Sequence, residues 1–308
     1  MVLRRYEVAQ RSMLPNLSPG QEVVATDSRH PRIGDVVVFE HPARPGFWMI
    51  KRVSEPSHAI DSDQAWVLSD NPTETRSDSR TLGPLPRSSL RPVVERLDPA
   101  TFVEACNLLV DEDPALAEVV ARHGVPEFWA RRPGFDTLVL LILEQQVSLE
   151  SGAAMFRRLS GVLNRVTPVA VAAVGENGLR GIGVTRQKTG YLLDLAALVL
   201  EGGLDLDALD RLPVEEARAA LLALRGVGPW TADVYLLSAL RHPDVLPVSD
   251  RALQVGMAEV LGLGSFPDTE QMEMLARPWS PVRAAAARLI WHAYLSSRGR
   301  VEPPDPLG

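Results

Sequence analysis

The grammar of the apolar residues changes once along this chain, near Leu97, and no single regular architecture accommodates both sides of the change. Before it, short β-branched and aromatic runs recur at residues 22–26, 35–40, 47–53 and 65–70, separated by the turn sequences SPG, PRIGD, PARPG and SDNP. After it, long apolar-periodic segments succeed one another at 135–148, 150–166, 188–202, 213–224, 230–240, 249–263 and 281–297. This spacing predicts a multidomain chain, with a small all-β barrel or sandwich followed by an all-α domain. The boundary is placed within the sequence RLDPAT, giving domains of 1–97 and 98–308. A length of 308 residues leaves enough chain for a core in each. The tail RVEPPDPLG is expected to fray.

Composition excludes several classes. With 45% apolar and 23% charged residues the chain reads as globular, not disordered. No run of 18 apolar residues exists, and MVLRRYEVAQRSM lacks an apolar signal core, so a cytoplasmic, nucleoid-associated protein with no membrane partner is expected. The single Cys106 excludes a disulfide framework, a cysteine zinc site and a four-cysteine iron–sulfur cluster, and no metal or cofactor is expected. The net charge is −7, with 13 basic and 12 acidic residues up to Leu97 and 19 and 27 after it. Bulk electrostatics therefore does not favour nucleic acid, and any contact with it must be local. Of the 32 basic residues only Lys51 and Lys188 are lysines, which makes each lysine informative.

In the helical half, a predicted helix over 214–224 gives way to Gly226-Val227-Gly228 and a new helix begins at once with Pro229-Trp230-Thr231. Two glycines let a turn approach a partner closely, and the helix that follows presents unpaired amides and a positive dipole end. Backbone of this kind grips phosphate without any lysine. Downstream, Pro247-Val248-Ser249-Asp250-Arg251 opens another helix, and Asp250 is either simply its N-cap or a functional carboxylate held at a helix start.

The hairpin LRGVGPWTAD with the downstream LPVSDRALQ resembles the helix-hairpin-helix DNA glycosylase superfamily, in particular its 3-methyladenine DNA glycosylase II branch. The resemblance spans roughly 100–297 and includes Ile142–Ser148, Gly181-Ile182-Gly183 with Gln187-Lys188, and the closing segment from Trp279 to Trp291. It implies hydrolysis of the N-glycosidic bond of alkylated purines in double-stranded DNA, with the base flipped into a pocket. Asp250 would stabilise the positive charge developing on the sugar or orient the attacking water. Trp230, Trp291 and Gln145 would line the base pocket, the indoles facing a cationic purine, although each indole could equally be ordinary core. Gln146 would fill the gap left by the flipped base, and Gly226, Val227, Gly228 and Thr231 would hold the DNA backbone. Trp230 stands where bifunctional relatives carry a Schiff-base lysine, so a monofunctional enzyme is expected. Lys188 is either a phosphate contact or a solvated surface lysine.

In the β half, Arg11-Ser12-Met13-Leu14-Pro15, the run Gly34–Phe39, Ile50-Lys51-Arg52-Val53, Ser69-Asp70-Asn71-Pro72 and Ser77–Pro84 occur in an order that resembles signal peptidase I-like Ser/Lys peptidases. The soluble proteases that mature nickel-type superoxide dismutase look nearest. The resemblance implies Ser12 as nucleophile and Lys51 as a base kept neutral by burial, acting on an unknown peptide substrate. Arginine could not serve as that base, because it does not deprotonate. Thr75 or Ser77 would orient the lysine, and Asp78 with Arg80 would form a structural ion pair. Asn16 and Ser69 depart from the family's usual Thr and Gly. A competing reading makes the helical half a non-catalytic lesion sensor that delivers an active peptidase. An aspartate at 250 argues against it.

Overall fold

A computed structural model describes residues 2–75, 77–302 and 304–307. The chain forms two compact units, Met1–Glu112 with Trp279–Val282, and Asp113–Pro278 with Arg283–Gly308.

The first unit is built on antiparallel strands. Strands β1 (Leu3–Glu7) and β2 (Glu22–Thr26) pair with each other, Arg5 opposite Val24. Strands β3 (Val36–Glu40), β4 (Trp48–Ser54), β5 (Gln64–Leu68), β6 (Leu85–Pro86) and β7 (Arg91–Pro92) form a second sheet in the order β6-β5-β4-β3-β7. The four expected strands are present to within two residues at either end. The short β6 and β7, and the arginine-bearing β1, left no apolar run to read in the sequence. Along β4 buried and partly exposed positions alternate, so Met49, Lys51 and Val53 share the inward face. Val37, Phe39, Met49, Val53, Ala65 and Val67 form one apolar cluster there. A helical turn, α1 (Ser79–Leu82), follows β5, with Asp78 as its N-cap.

The next helix, α2 (Pro99–Glu112), starts where the sequence changes grammar: Asp98 and Thr101 exchange hydrogen bonds at 2.8 and 2.9 Å and Pro99 occupies the first helical position. It nevertheless belongs to the first unit. Its Glu104 accepts from Thr26 Oγ1 at 2.9 Å, and its Glu112 pairs with Arg5 at 2.9 Å. The change of secondary structure at Leu97 and the division into compact units after Glu112 are thus distinct, because side chains of α2 are tied to β1 and the end of β2.

The second unit is helical: α3 (Pro114–His123), α4 (Phe135–Glu144), α5 (Leu149–Leu163), α6 (Pro168–Ile182), α7 (Arg186–Leu200), α8 (Leu206–Leu209), α9 (Val214–Leu222), α10 (Pro229–Ser238), α11 (Arg251–Leu261), α12 (Thr269–Leu275) and α13 (Arg283–Ser296). Helices α4 and α10 are apolar nearly all round and lie buried along most of their length. Among the described residues no helix is long and apolar enough to cross a membrane.

Candidate active sites of the two units

The hairpin of the second unit is α9, a glycine turn and α10. Gly226 has φ +86°, and a Cβ there would lie 2.3 Å from the Tyr191 ring of α7, so only glycine fits. The turn closes with the Val227 amide donating to Leu224 O at 3.1 Å, and Pro229 starts α10. Buried Asp233 on α10 binds Arg218 on α9 at 2.8 and 3.2 Å, joining the two arms. Burial pushes the Asp233 carboxyl above its ordinary pKa, against the opposing pull of Arg218.

Asp250 is the N-cap of α11, its Oδ1 accepting from the Leu253 amide at 2.7 Å. The same carboxylate receives two indole N–H groups, Trp291 onto Oδ1 at 3.0 Å and Trp230 onto Oδ2 at 2.6 Å. Asp250 thus caps a helix, as one sequence reading had it, and its carboxylate is held in place by the two indoles. An ionised carboxylate offers about four acceptor sites. Three are filled, which leaves one on Oδ2 for a further partner. Trp230 is half-buried and Trp291 is 9% exposed, and the N–H of each donates to Asp250.

The other predicted residues divide. Gln145, expected in the base pocket, spends its amide N–H groups on Gly226 O and Thr231 Oγ1, both at 2.8 Å. It thereby ties the end of α4 to the hairpin. Thr231 and Val227, expected to meet DNA, have buried side chains. What the hairpin offers outward is backbone: the first-turn amides of Trp230 and Thr231 have no acceptor within α10. Gln146 is exposed and adopts φ +58°, at the tip of the turn between α4 and α5. Lys188 is half-buried and engaged with the main chain. Its ammonium donates to Leu143 O and Gln145 O, each at 2.8 Å.

Sequence reasoning missed a cluster behind Trp291. Trp129 meets that ring edge-on, with centroids 5.7 Å apart and planes at 87°. The guanidiniums of Arg131 and Arg288 lie 4.8 and 5.2 Å from the Trp129 centroid. Arg131 is in turn gripped by Glu144 of α4 through two 2.9 Å bonds, both side chains being buried. Burial raises the Glu144 carboxyl pKa, and the charge of Arg131 opposes the rise. Trp129 lies in the irregular segment PEFWARR, where no periodicity marks it.

In the first unit Ser12 and Lys51 meet. Ser12 sits in the 3₁₀ turn Arg11–Met13, and Lys51 Nζ donates to Ser12 Oγ at 2.9 Å and to Ile50 O at 2.8 Å. Their exposures are 4% and 3%. Burial lowers the Lys51 pKa from 10.5 to about 8, while Asp78 and Asp70 pull it upward. Thr75 and Ser77, expected to orient the lysine, lie in a surface loop where the Ser77 amide donates to Thr75 Oγ1 at 3.0 Å. The backbone carbonyl of Ile50 holds the ammonium in their place. Asp78 and Arg80 pair as expected, and the Asp78 carboxylate also accepts from the Ser69 amide at 3.1 Å.

Comparison with known proteins bears chiefly on the helical half. The HhH-GPD superfamily of base excision DNA repair proteins matches residues 139–281. The helical half is an HhH-GPD domain with 3-methyladenine glycosylase homologues.

A DNA-3-methyladenine glycosylase of Bacillus subtilis is 26% identical over 39% of this chain and 40% of its own length. The 3-methyladenine glycosidase structure from Bacillus halodurans superposes with a TM-score of 0.55 at 25% identity, covering 65% of this chain and 92% of that one. Schizosaccharomyces pombe 3-methyladenine DNA glycosylase, solved in complex with abasic DNA, shares the fold at a TM-score of 0.57 and 23% identity, over 61% and 95%. The chain spans about half the length of the first curated relatives it matches, 58% and 40%. The signal peptidase family S26 matches a short stretch, residues 1–56, which contains Ser12 and Lys51.

Proposed function

We propose that the helical half excises alkylated purines from double-stranded DNA by hydrolysing the N-glycosidic bond, without lyase chemistry. The observation that carries this reading is Asp250, oriented by the Leu253 amide and two indole N–H groups with one acceptor position left on Oδ2. A fixed negative charge of this kind favours a sugar becoming oxocarbenium-like as the base departs, and it requires no reorganisation at the moment of bond breaking. An alkylated purine is already a cationic leaving group, so no strong general acid is required of the protein. Position 230 carries an indole and not an amine, and the two lysines are engaged elsewhere, Lys51 with Ser12 and Lys188 with carbonyls. That supports water, not an enzyme amine, as the nucleophile.

The first unit is read as a Ser/Lys peptidase-like domain. Ser12 Oγ is the nucleophile, and Lys51, neutral above about pH 8, takes its proton. The short family match and the buried contact support this reading.

The test is release of free base from methylated duplex DNA by the intact chain and by Asp250→Asn, which keeps a side-chain oxygen for the helix cap. Release should fall on the order of a hundredfold or more in the variant. Wild-type rates in Asp250→Asn would refute the assignment. Lesion binding without any release by the wild-type chain would favour the sensor reading. Ser12→Ala should leave base release unchanged and remove any proteolysis.

A further inference from the structure

We propose that Lys188 is a positioning residue that sets Gln146 for insertion into the duplex, an inference that rests on the glycosylase reading of the helical half.

The last carbonyls of a helix have no intrahelical donors and carry the negative end of the dipole. At the end of α4, Leu143 O and the following Gln145 O converge on one ammonium, that of Lys188 on α7, at 2.8 Å each. The lysine is half-buried, and among the described residues it has no carboxylate partner. Partial loss of water lowers its pKa.

The next residue is Gln146, exposed and left-handed at φ +58°, a conformation uncommon for a side-chain-bearing residue. Three independent ties hold the turn that carries it. Lys188 fixes the carbonyls on one side. The Gln145 amide is bound to Gly226 O and Thr231 Oγ1 of the hairpin. Gly152 at the start of α5 approaches Glu144 so closely that a Cβ would lie 2.5 Å from its Cγ. Among these ties only Lys188 is a charged group with two bonds to the main chain immediately preceding Gln146. Tyr191, one turn further along α7, is the ring that covers Gly226 of the hairpin. Helix α7 therefore holds the inserting turn with one residue and the phosphate-facing turn with another.

A direct phosphate contact would use the same lysine differently, and the two roles separate experimentally. The probe is a duplex carrying a tetrahydrofuran abasic analogue, compared with the same duplex undamaged, with binding measured at several salt concentrations. Wild type should prefer the abasic duplex. Lys188→Met should lose that preference on the order of tenfold, matching Gln146→Ala, and the double variant should be no worse than Gln146→Ala alone. Lys188→Arg should retain most of it. The slope of log affinity against log salt should be the same in Lys188→Met and wild type. A slope smaller by about 1 would reassign Lys188 to phosphate and overturn the proposal. So would additive losses in the double variant, or an abasic preference kept in Lys188→Met but lost in Gln146→Ala. Abasic preference with no base release would refute catalysis and leave Lys188 positioning Gln146 in a protein that only binds the lesion. No preference by the wild type would overturn the role of Lys188, while base release alone decides the glycosylase reading.

Discussion

Replacing Lys51 by Met should stabilise the first unit at pH 7, although it removes two hydrogen bonds. Burial displaces the lysine pKa from 10.5 to about 8, which corresponds to about 3 kcal/mol against the charged form in the folded state. The folded value lies below the unfolded one. Below pH 8 the wild-type chain therefore carries this destabilisation in full. Between pH 8 and 10.5 the unfolded chain binds the extra proton, so folding gains stability as pH rises, and the penalty is gone above 10.5. The bonds to Ser12 Oγ and Ile50 O offset it by about 1 kcal/mol each. Lys51→Met should thus be more stable than wild type by about 1 kcal/mol at pH 7 and less stable by about 2 kcal/mol near pH 10.5. Calorimetry of the transition that carries the first unit, at a series of pH values, reads the crossover. With only two lysines in the chain, carbon-13 labelling at lysine Cε gives the Lys51 titration midpoint directly. A pH-independent difference between variant and wild type, with a midpoint near 10.5, would refute the reasoning and remove the neutral base from the proposed peptidase chemistry.

Two further outcomes are expected in the helical unit. Gly226→Ala combines a left-handed φ with a Cβ driven into the Tyr191 ring, and should cost about 1–3 kcal/mol in denaturant melts and weaken binding to duplex DNA. Parental stability in that variant would mean that the turn and α7 separate freely. Arg131→Met leaves Glu144 buried without its counter-charge, and should cost about 3–5 kcal/mol in urea unfolding. It should also loosen Trp129 behind Trp291, lowering the base-release rate more than lesion affinity, a split that a purely global destabilisation would not produce.

The linear sequence carried whatever depends on local chemistry. The glycines of the hairpin, Pro229 at a helix start, Asp250 as a cap and the four main strands follow from backbone propensities that act over a few residues. The pairing of Ser12 with Lys51 was reachable because order along the chain preserves a motif even when its parts lie 39 residues apart. Tertiary structure decided which atom each side chain spends on which neighbour. The Gln145 amide N–H groups meet Gly226 O and Thr231 Oγ1 only when α4 packs on the hairpin. Lys188 reaches the carbonyls orphaned at the end of α4 because that end packs beside α7. Trp129 gains its two guanidiniums from segments 157 residues apart in sequence, Arg131 and Arg288, and no period or spacing could report that. The physical reason is common to all three. Hydrogen-bond capacity and buried charge must be balanced locally in space, and spatial neighbours are set by packing, which a linear pattern constrains only face by face.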